Sequence, residues 1–320
     1  MVIHPLPIES YSSRTNVTNS FNSVISDSVK RLALGTVQFG LTYGVANTQG
    51  KVSLEQARVM LEMVRVAGID TLDTAIAYGE AESVLGQIGV SDFRLISKLP
   101  ALPECVGRVD DWVVAQVENS LKRLRVPFLG GLMLHAPDDL LGRHGLALAR
   151  GLERVRVAGL VKSLGLSVYS PEQLSKLVDR FQLDIVQIPV NIFDRRFIET
   201  GWLDCLVKNG VEVHARSVFL QGLLLMARNR VPSMFAPFRP LIDDWHAWLS
   251  EEENSGRSSL QVCLAHVASY TGITRIVIGA DSSKQLQEII SAAAVEPKLA
   301  PISLINHTST LINPSLWKTL

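Results

Sequence analysis

The sequence predicts an α/β protein, a single (β/α)8 TIM barrel preceded by a flexible N-terminal leader. Three observations lead there. Short apolar, β-branched runs alternate with amphipathic segments of helical period, eight times between Arg31 and Ala293. The strand runs are apolar throughout, as strands covered by helices on both faces of a parallel sheet must be. The turn after the first run, Leu34-Gly-Thr-Val-Gln-Phe-Gly40, also lacks the GxGxxG fingerprint of a doubly wound open sheet, which is the alternative.

The elements follow in order. Leu32–Val37 is the first strand and ends in a Gly-rich loop, Gly40–Gly50. Ser53 with Gln56 predicts a capping box for a helix over Leu54–Ala67, whose apolar face is Leu54, Ala57, Leu61 and Val64; Gly68 closes it. Ile69–Asp73 is a strand and Glu82–Ile88 a short helix. Phe93–Lys98, Phe128–His135 and Lys162–Leu166 are strands, with helices at Val109–Leu124 and Leu146–Ala158 between them. Pro171–Asp179 is a helix with proline in its first turn. Ile185–Pro189 and Glu212–Arg216 are strands around a helix at Gly201–Lys208. A long insertion, Ser217–Arg257, contains a possible helix near Asp243–Trp248; Trp245, Trp248 and Trp317 are read as loop anchors. Ser258–Tyr270 and Ser283–Ala293 are helices around the last strand, Arg275–Gly279.

Two domains follow from this reading: a leader over 1–30 and a barrel with its C-terminal tail over 31–320. Residues 10–28 hold twelve Ser, Thr or Asn among nineteen, too polar to build a core. The 320 residues carry 31 basic and 31 acidic side chains and 47% hydrophobic residues. Neutrality without a basic run argues against nucleic acid as a partner. The apolar stretch Val218–Ala227 is broken by Gln221 and too short to span a bilayer, so no membrane partner is expected. Cys105, Cys205 and Cys263 are sparse and unclustered, and the N-terminus has no secretory pattern. A cytoplasmic protein with buried thiols and no metal site is the expectation.

In a barrel of this kind the active site lies at the C-terminal strand ends. Strands two, three and four end on Asp73, Lys98 and His135, and neighbouring strands are only ~4.8 Å apart. Tyr78 can return over the same rim. Burying three ionisable groups side by side is costly unless they pair. A tyrosine of pKa near ~10 is a weak acid or base until a neighbour shifts it. Lys98 as a cation would depress that pKa, Asp73 would hold the ammonium, and His135 would orient a substrate oxygen. Such a set moves a proton at a carbonyl or alcohol and needs a nicotinamide partner to supply reducing power.

Leu34-Gly-Thr-Val-Gln-Phe-Gly, Gly68-Ile-Asp-Thr-Leu-Asp73-Thr-Ala-Ile-Ala-Tyr78-Gly, Lys98 and Leu134-His135-Ala-Pro-Asp resemble the aldo-keto reductases. Gly165-Leu-Ser-Val-Tyr-Ser, Gln187-Ile-Pro-Val-Asn and Ile278-Gly-Ala-Asp-Ser-Ser-Lys-Gln continue the resemblance to about Ser291. It implies reversible reduction of an aldehyde or ketone by NADPH or NADH, with Tyr78 as general acid/base assisted by Asp73, Lys98 and His135. It further implies that Ser167 and Gln187 hold the nicotinamide carboxamide. Val168 stands where the family commonly has Asn and cannot share that bond; Arg216 stands where an aromatic commonly stacks on the ring. The remaining cofactor positions implied are Ser217, Gln221, Gly222, Gly279, Ala280, Ser283 and Lys284. NADPH is favoured by family habit, although Asp281 would repel its 2′-phosphate. Because net charge is zero, attraction for phosphates must come from placed groups, Lys284 and Arg216 among them. A small carbonyl compound is the expected partner, and oligomeric state is left open. Two other readings stay open here: a Schiff-base aldolase or isomerase using Lys98, and a cofactor-binding barrel that regulates a partner without turnover.

Overall fold

β1 (Leu32–Gly35) is apolar and buried along its whole length because it lies between two strands of a closed barrel. Its neighbours are β2 (Thr71–Asp73) and β8 (Arg275–Ile278). Between them run β3 (Arg94–Leu99), β4 (Gly131–Leu134), β5 (Leu164–Ser167), β6 (Ile185–Pro189) and β7 (Glu212–Arg216). All eight are parallel and paired in sequence order. This is a computed structural model, and it describes residues 27–319.

The outer ring comprises α1 (Leu54–Val66), α2 (Ala81–Ile88), α3 (Val109–Leu124), α4 (Gly145–Val157), α5 (Pro171–Leu177), α6 (Trp202–Lys208), α7 (Arg239–Asn254), α8 (Ser259–Ala268) and α9 (Ser283–Ala292). Their apolar stripes and the outward faces of the strands form one large core.

Several expectations change. The leader over 1–30 lies mostly outside the described residues. Its last four, Asp27–Lys30, form a helical turn with Val29 buried, so ordered chain starts before Arg31. The fourth strand is shorter than Phe128–His135: its ladder to β3 covers Gly131–Leu134 and its ladder to β5 covers Leu132–Leu134, and Phe128 is exposed. Ser53 caps α1 as expected, but Gln56 does not complete the box, since its Oε1 accepts from Ser283 instead. The reciprocal box forms at Ser258 and Gln261 on α8. The insertion is largely helical, three 3-10 turns followed by the whole of α7. Trp245 is buried edge-on against Phe193, and Trp317 sits 4.8 Å from Phe235, so both anchor their segments. Cys263 is buried as expected, whereas Cys105 and Cys205 are exposed.

The barrel interior is layered, and the layers set the site. Ile96, Met133 and Ile185 form a separate apolar cluster within the barrel. Side chains on one face of a strand recur every two residues. One step beyond each member of that cluster come Lys98, His135 and Gln187. Below it, Arg94 forks onto Glu212 at 2.6 and 2.7 Å, and His214 Nε2 lies 2.8 Å from the same carboxylate. Burial pushes Glu212 up, yet the bonds to His214 and Arg94 hold it well below the usual carboxylate range.

Candidate active site

Asp73 ends β2 and is the hub of the site. Its Oδ1 accepts from Lys98 Nζ at 2.6 Å and its Oδ2 from Gln187 Nε2 at 2.8 Å. Lys98 also donates to the Thr74 carbonyl, and Ser167 Oγ donates to Gln187 Oε1 at 3.2 Å. Strands β2, β3, β5 and β6 thus contribute one hydrogen-bonded network. Lys98 is 1% exposed, and burial without the Asp73 partner would be prohibitive for an ammonium. The desolvation lowers its pKa, and Asp73 opposes that shift. With its donors bonded to Asp73 and Thr74, Lys98 is held as a cation rather than presented as an amine nucleophile.

Tyr78 stands over this network, with Lys98 Nζ 5.4 Å from its ring centre and His135 edge-on at 5.7 Å. Its loop is fixed by hydrogen bonds from Ile76 to the Lys98 carbonyl and from Ala81 to the Tyr78 carbonyl. Gly40 holds it from the other side: a Cβ there would lie 1.7 Å from the Tyr78 carbonyl oxygen. The expected depression of the Tyr78 pKa by Lys98 is corrected. Burial, then Asp73, raises it, and the opposing charge is that of Arg216. The Lys98 charge is matched at 2.6 Å by Asp73, which leaves little net field for the phenol. Tyr78 is therefore a protonated donor at neutral pH. His135 is neutral there too, its pKa pushed down to about 4 by burial and by Lys98.

A cavity of about 1030 Å³ opens above these groups. Asp73, Tyr78, Lys98, His135, Ser167, Gln187, Arg216, Ser217, Gln221, Gly222 and Gly279 all line it. Ala280, Ser283 and Lys284 do not: Ala280 is buried and Lys284 is exposed on α9. The amides of Asp281, Ser283 and Gln285 already donate to Gln285 Oε1, Gln56 Oε1 and Ser282 Oγ. The start of α9 is thus capped by Ser282 and Gln285 of its own segment and by Gln56 of α1.

Four lining residues escaped the sequence reading. Tyr169 lies beneath Arg216, with the guanidinium carbon 4.2 Å from its ring centre. Tyr43, in the Gly-rich loop, accepts from Gln221 Nε2 at 3.1 Å. Asn47 donates to Asp281 Oδ1 at 3.1 Å. Gln38 is buried with its Oε1 unpartnered, against Gly279. The signal was present for Gln38 and Tyr169, which sit directly after strand runs. The contacts of Tyr43 and Asn47 join segments more than 170 residues apart and leave no local pattern.

Fold and site together define a parallel barrel whose polar groups converge at the C-terminal strand ends. The sequence model of the Aldo/keto reductase family matches residues 31–305, and the chain belongs to that family. It is similar to a probable voltage-gated potassium channel subunit beta of Arabidopsis thaliana, 28% identical over 85% of this chain and 92% of the relative. It is also similar to L-glyceraldehyde 3-phosphate reductase of Escherichia coli K12, 25% identical over 79% and 83% of the two chains. Among solved structures, an aldo-keto reductase from Bacillus halodurans in its holo form shares the fold, with a TM-score of 0.65 and 20% identity over 84% and 88% of the chains. No described helix is long and apolar enough to cross a membrane, and no described cluster of His, Cys, Asp or Glu has metal-binding form.

Proposed function

We propose that the protein is a cytoplasmic NAD(P)H-dependent reductase of aldehydes or ketones, reversible as an alcohol dehydrogenase, with Tyr78 as general acid/base. The observation that carries this reading is the placement of Tyr78 between His135 and the Asp73-bound Lys98. A reduced nicotinamide held by Ser167 and Gln187 would supply a hydride, one hydrogen with its two electrons, for the carbonyl carbon. Tyr78 Oη donates the proton that the carbonyl oxygen takes up, and neutral His135 orients that oxygen by a hydrogen bond. The Arg216 charge favours the tyrosinate left behind, and Asp73 keeps Lys98 in place beneath the ring.

The residues present fit a dinucleotide. The cavity has the volume for one, and the unpartnered Gln38 Oε1 at Gly279 offers a buried acceptor. Ser167 and Gln187 would hold the carboxamide, and Ser217, Gln221 and Gly222 the chain that follows it. Past the end of β8 the lining is acidic, Asp281 and Glu288, and the cations of the described lining are Lys98 and Arg216 alone. That charge pattern supports NADH, against the family habit that favoured NADPH.

Tyr78→Phe tests the reading. Reduction of any accepted carbonyl should fall by about 10²- to 10⁴-fold while NADH affinity, followed by fluorescence quenching, persists. Turnover at the wild-type rate in this variant would remove Tyr78 from the mechanism.

A further inference from the structure

The described lining holds two cations, and only one has a carboxylate partner. Lys98 is paired with Asp73. Arg216, at the end of β7, makes no ion pair among the described residues, although it is half-buried. Its Nη1 donates to Ser217 Oγ at 3.1 Å and its Nη2 to the Val168 carbonyl at 3.0 Å. A guanidinium carries five N–H donors, so these two bonds leave three unassigned. The Tyr169 ring lies against its face at 4.2 Å, and Ser217 adopts a positive φ of 59° to bring its hydroxyl round. The plane is thereby fixed by three contacts before any ligand arrives, so little rotamer entropy remains to be lost on binding.

A fixed, half-dehydrated guanidinium with a free edge matches one ligand chemistry, a carboxylate or phosphate taken by paired hydrogen bonds. The position also selects which molecule brings it. Arg216 lines the same cavity as Tyr78, Lys98 and His135, the groups that face the reacting carbonyl in the reading above. We propose that Arg216, seated on Tyr169, is the subsite for the anionic end of a small carbonyl substrate, so that this reductase acts on oxo-acids or phosphorylated aldehydes in preference to neutral ones. The inference rests on the reductase reading above, and Val168 contributes its backbone carbonyl to it rather than its side chain.

Paired substrates test it on the full chain. Succinic semialdehyde is set against butanal, and glyceraldehyde 3-phosphate against glyceraldehyde; the first pair isolates a carboxylate and the second a phosphate. At least one anionic member should exceed its neutral partner by about tenfold to hundredfold in kcat/KM, mostly through KM. In Arg216→Gln that ratio should collapse toward one, and Arg216→Lys should recover part of it by charge without the fork. A ratio near one for both pairs in the wild type, with turnover present, overturns the proposal and leaves the reductase reading standing. Equal loss on anionic and neutral partners, in step with lost NADH affinity, overturns it as well, because the guanidinium then serves the cofactor. A direct measurement covers the case of no turnover at all. Calorimetry with succinate and with inorganic phosphate should show binding to the wild type that weakens at least tenfold in Arg216→Gln. Equal binding to both proteins, or none to the wild type, rules the subsite out.

Discussion

At the scale of single residues, the site depends on Asp73 having two oxygens with two different partners. One oxygen neutralises Lys98 and the other fixes Gln187, so the cation beneath Tyr78 and the expected carboxamide ligand share one anchor. Asp281 is the residue on which the proposed cofactor choice turns. Its carboxyl is held by Asn47, and burial raises its pKa. Asp281→Arg replaces a repelling group with one that pairs with a 2′-phosphate. The ratio of kcat/KM with NADPH to that with NADH should rise more than tenfold; an unchanged ratio would mean that this segment does not reach the ribose. The four residues proposed to carry the reaction were legible in the sequence because each ends a strand or follows one closely. The Arg216–Tyr169 stack was not. It joins positions 47 apart, through closure of β5 against β7 by way of β6, and neither residue alone signals the contact.

At the scale of elements, what aims Tyr78 is the fit between two loops. The loop after β1 passes so close to the one after β2 that position 40 admits no side chain, and Gly79 beyond it takes a positive φ of 56°. Gly40→Ala must push the Tyr78 backbone away, since neither neighbour is a flexible side-chain end. A shift near an ångström at the proton donor costs about 10²-fold, so kcat should drop by that order while cofactor affinity stays within a few-fold. An unaltered kcat would show that the Tyr78 loop relaxes without losing its aim. The strands and most helices could be read from periodicity and caps. The 3-10 turns of the insertion could not, because Leu220 and Gln221 take positive φ values that their side chains do not favour. Only packing of the loop against the barrel mouth selects such a conformation.

At the scale of the whole molecule, the tail is tied to the barrel through a buried histidine. His266 on α8 accepts from the Ala300 amide at 3.1 Å, and burial, then the Arg195 charge, push its pKa down to about 3. The unfolded chain titrates near 6.5, so the contribution of this group is complete above that pH. As pH falls from 6.5 the unfolded chain gains a proton the folded one refuses, and stability declines by about 1.4 kcal/mol per pH unit. Urea unfolding at pH 7, 6 and 5 should lose this share of its slope in His266→Gln, the share of His135 remaining; identical slopes in both proteins would contradict the assignment. The layered interior has a last consequence. Lys98, His135 and Gln187 rise from strands whose next inward residues, Ile96, Met133 and Ile185, are locked together in the middle of the barrel. The site therefore has no melting of its own apart from its loops. On heating, turnover should disappear with the barrel in one event, and a rescue of activity by repairing a loop alone has nothing to act on once that middle layer has opened.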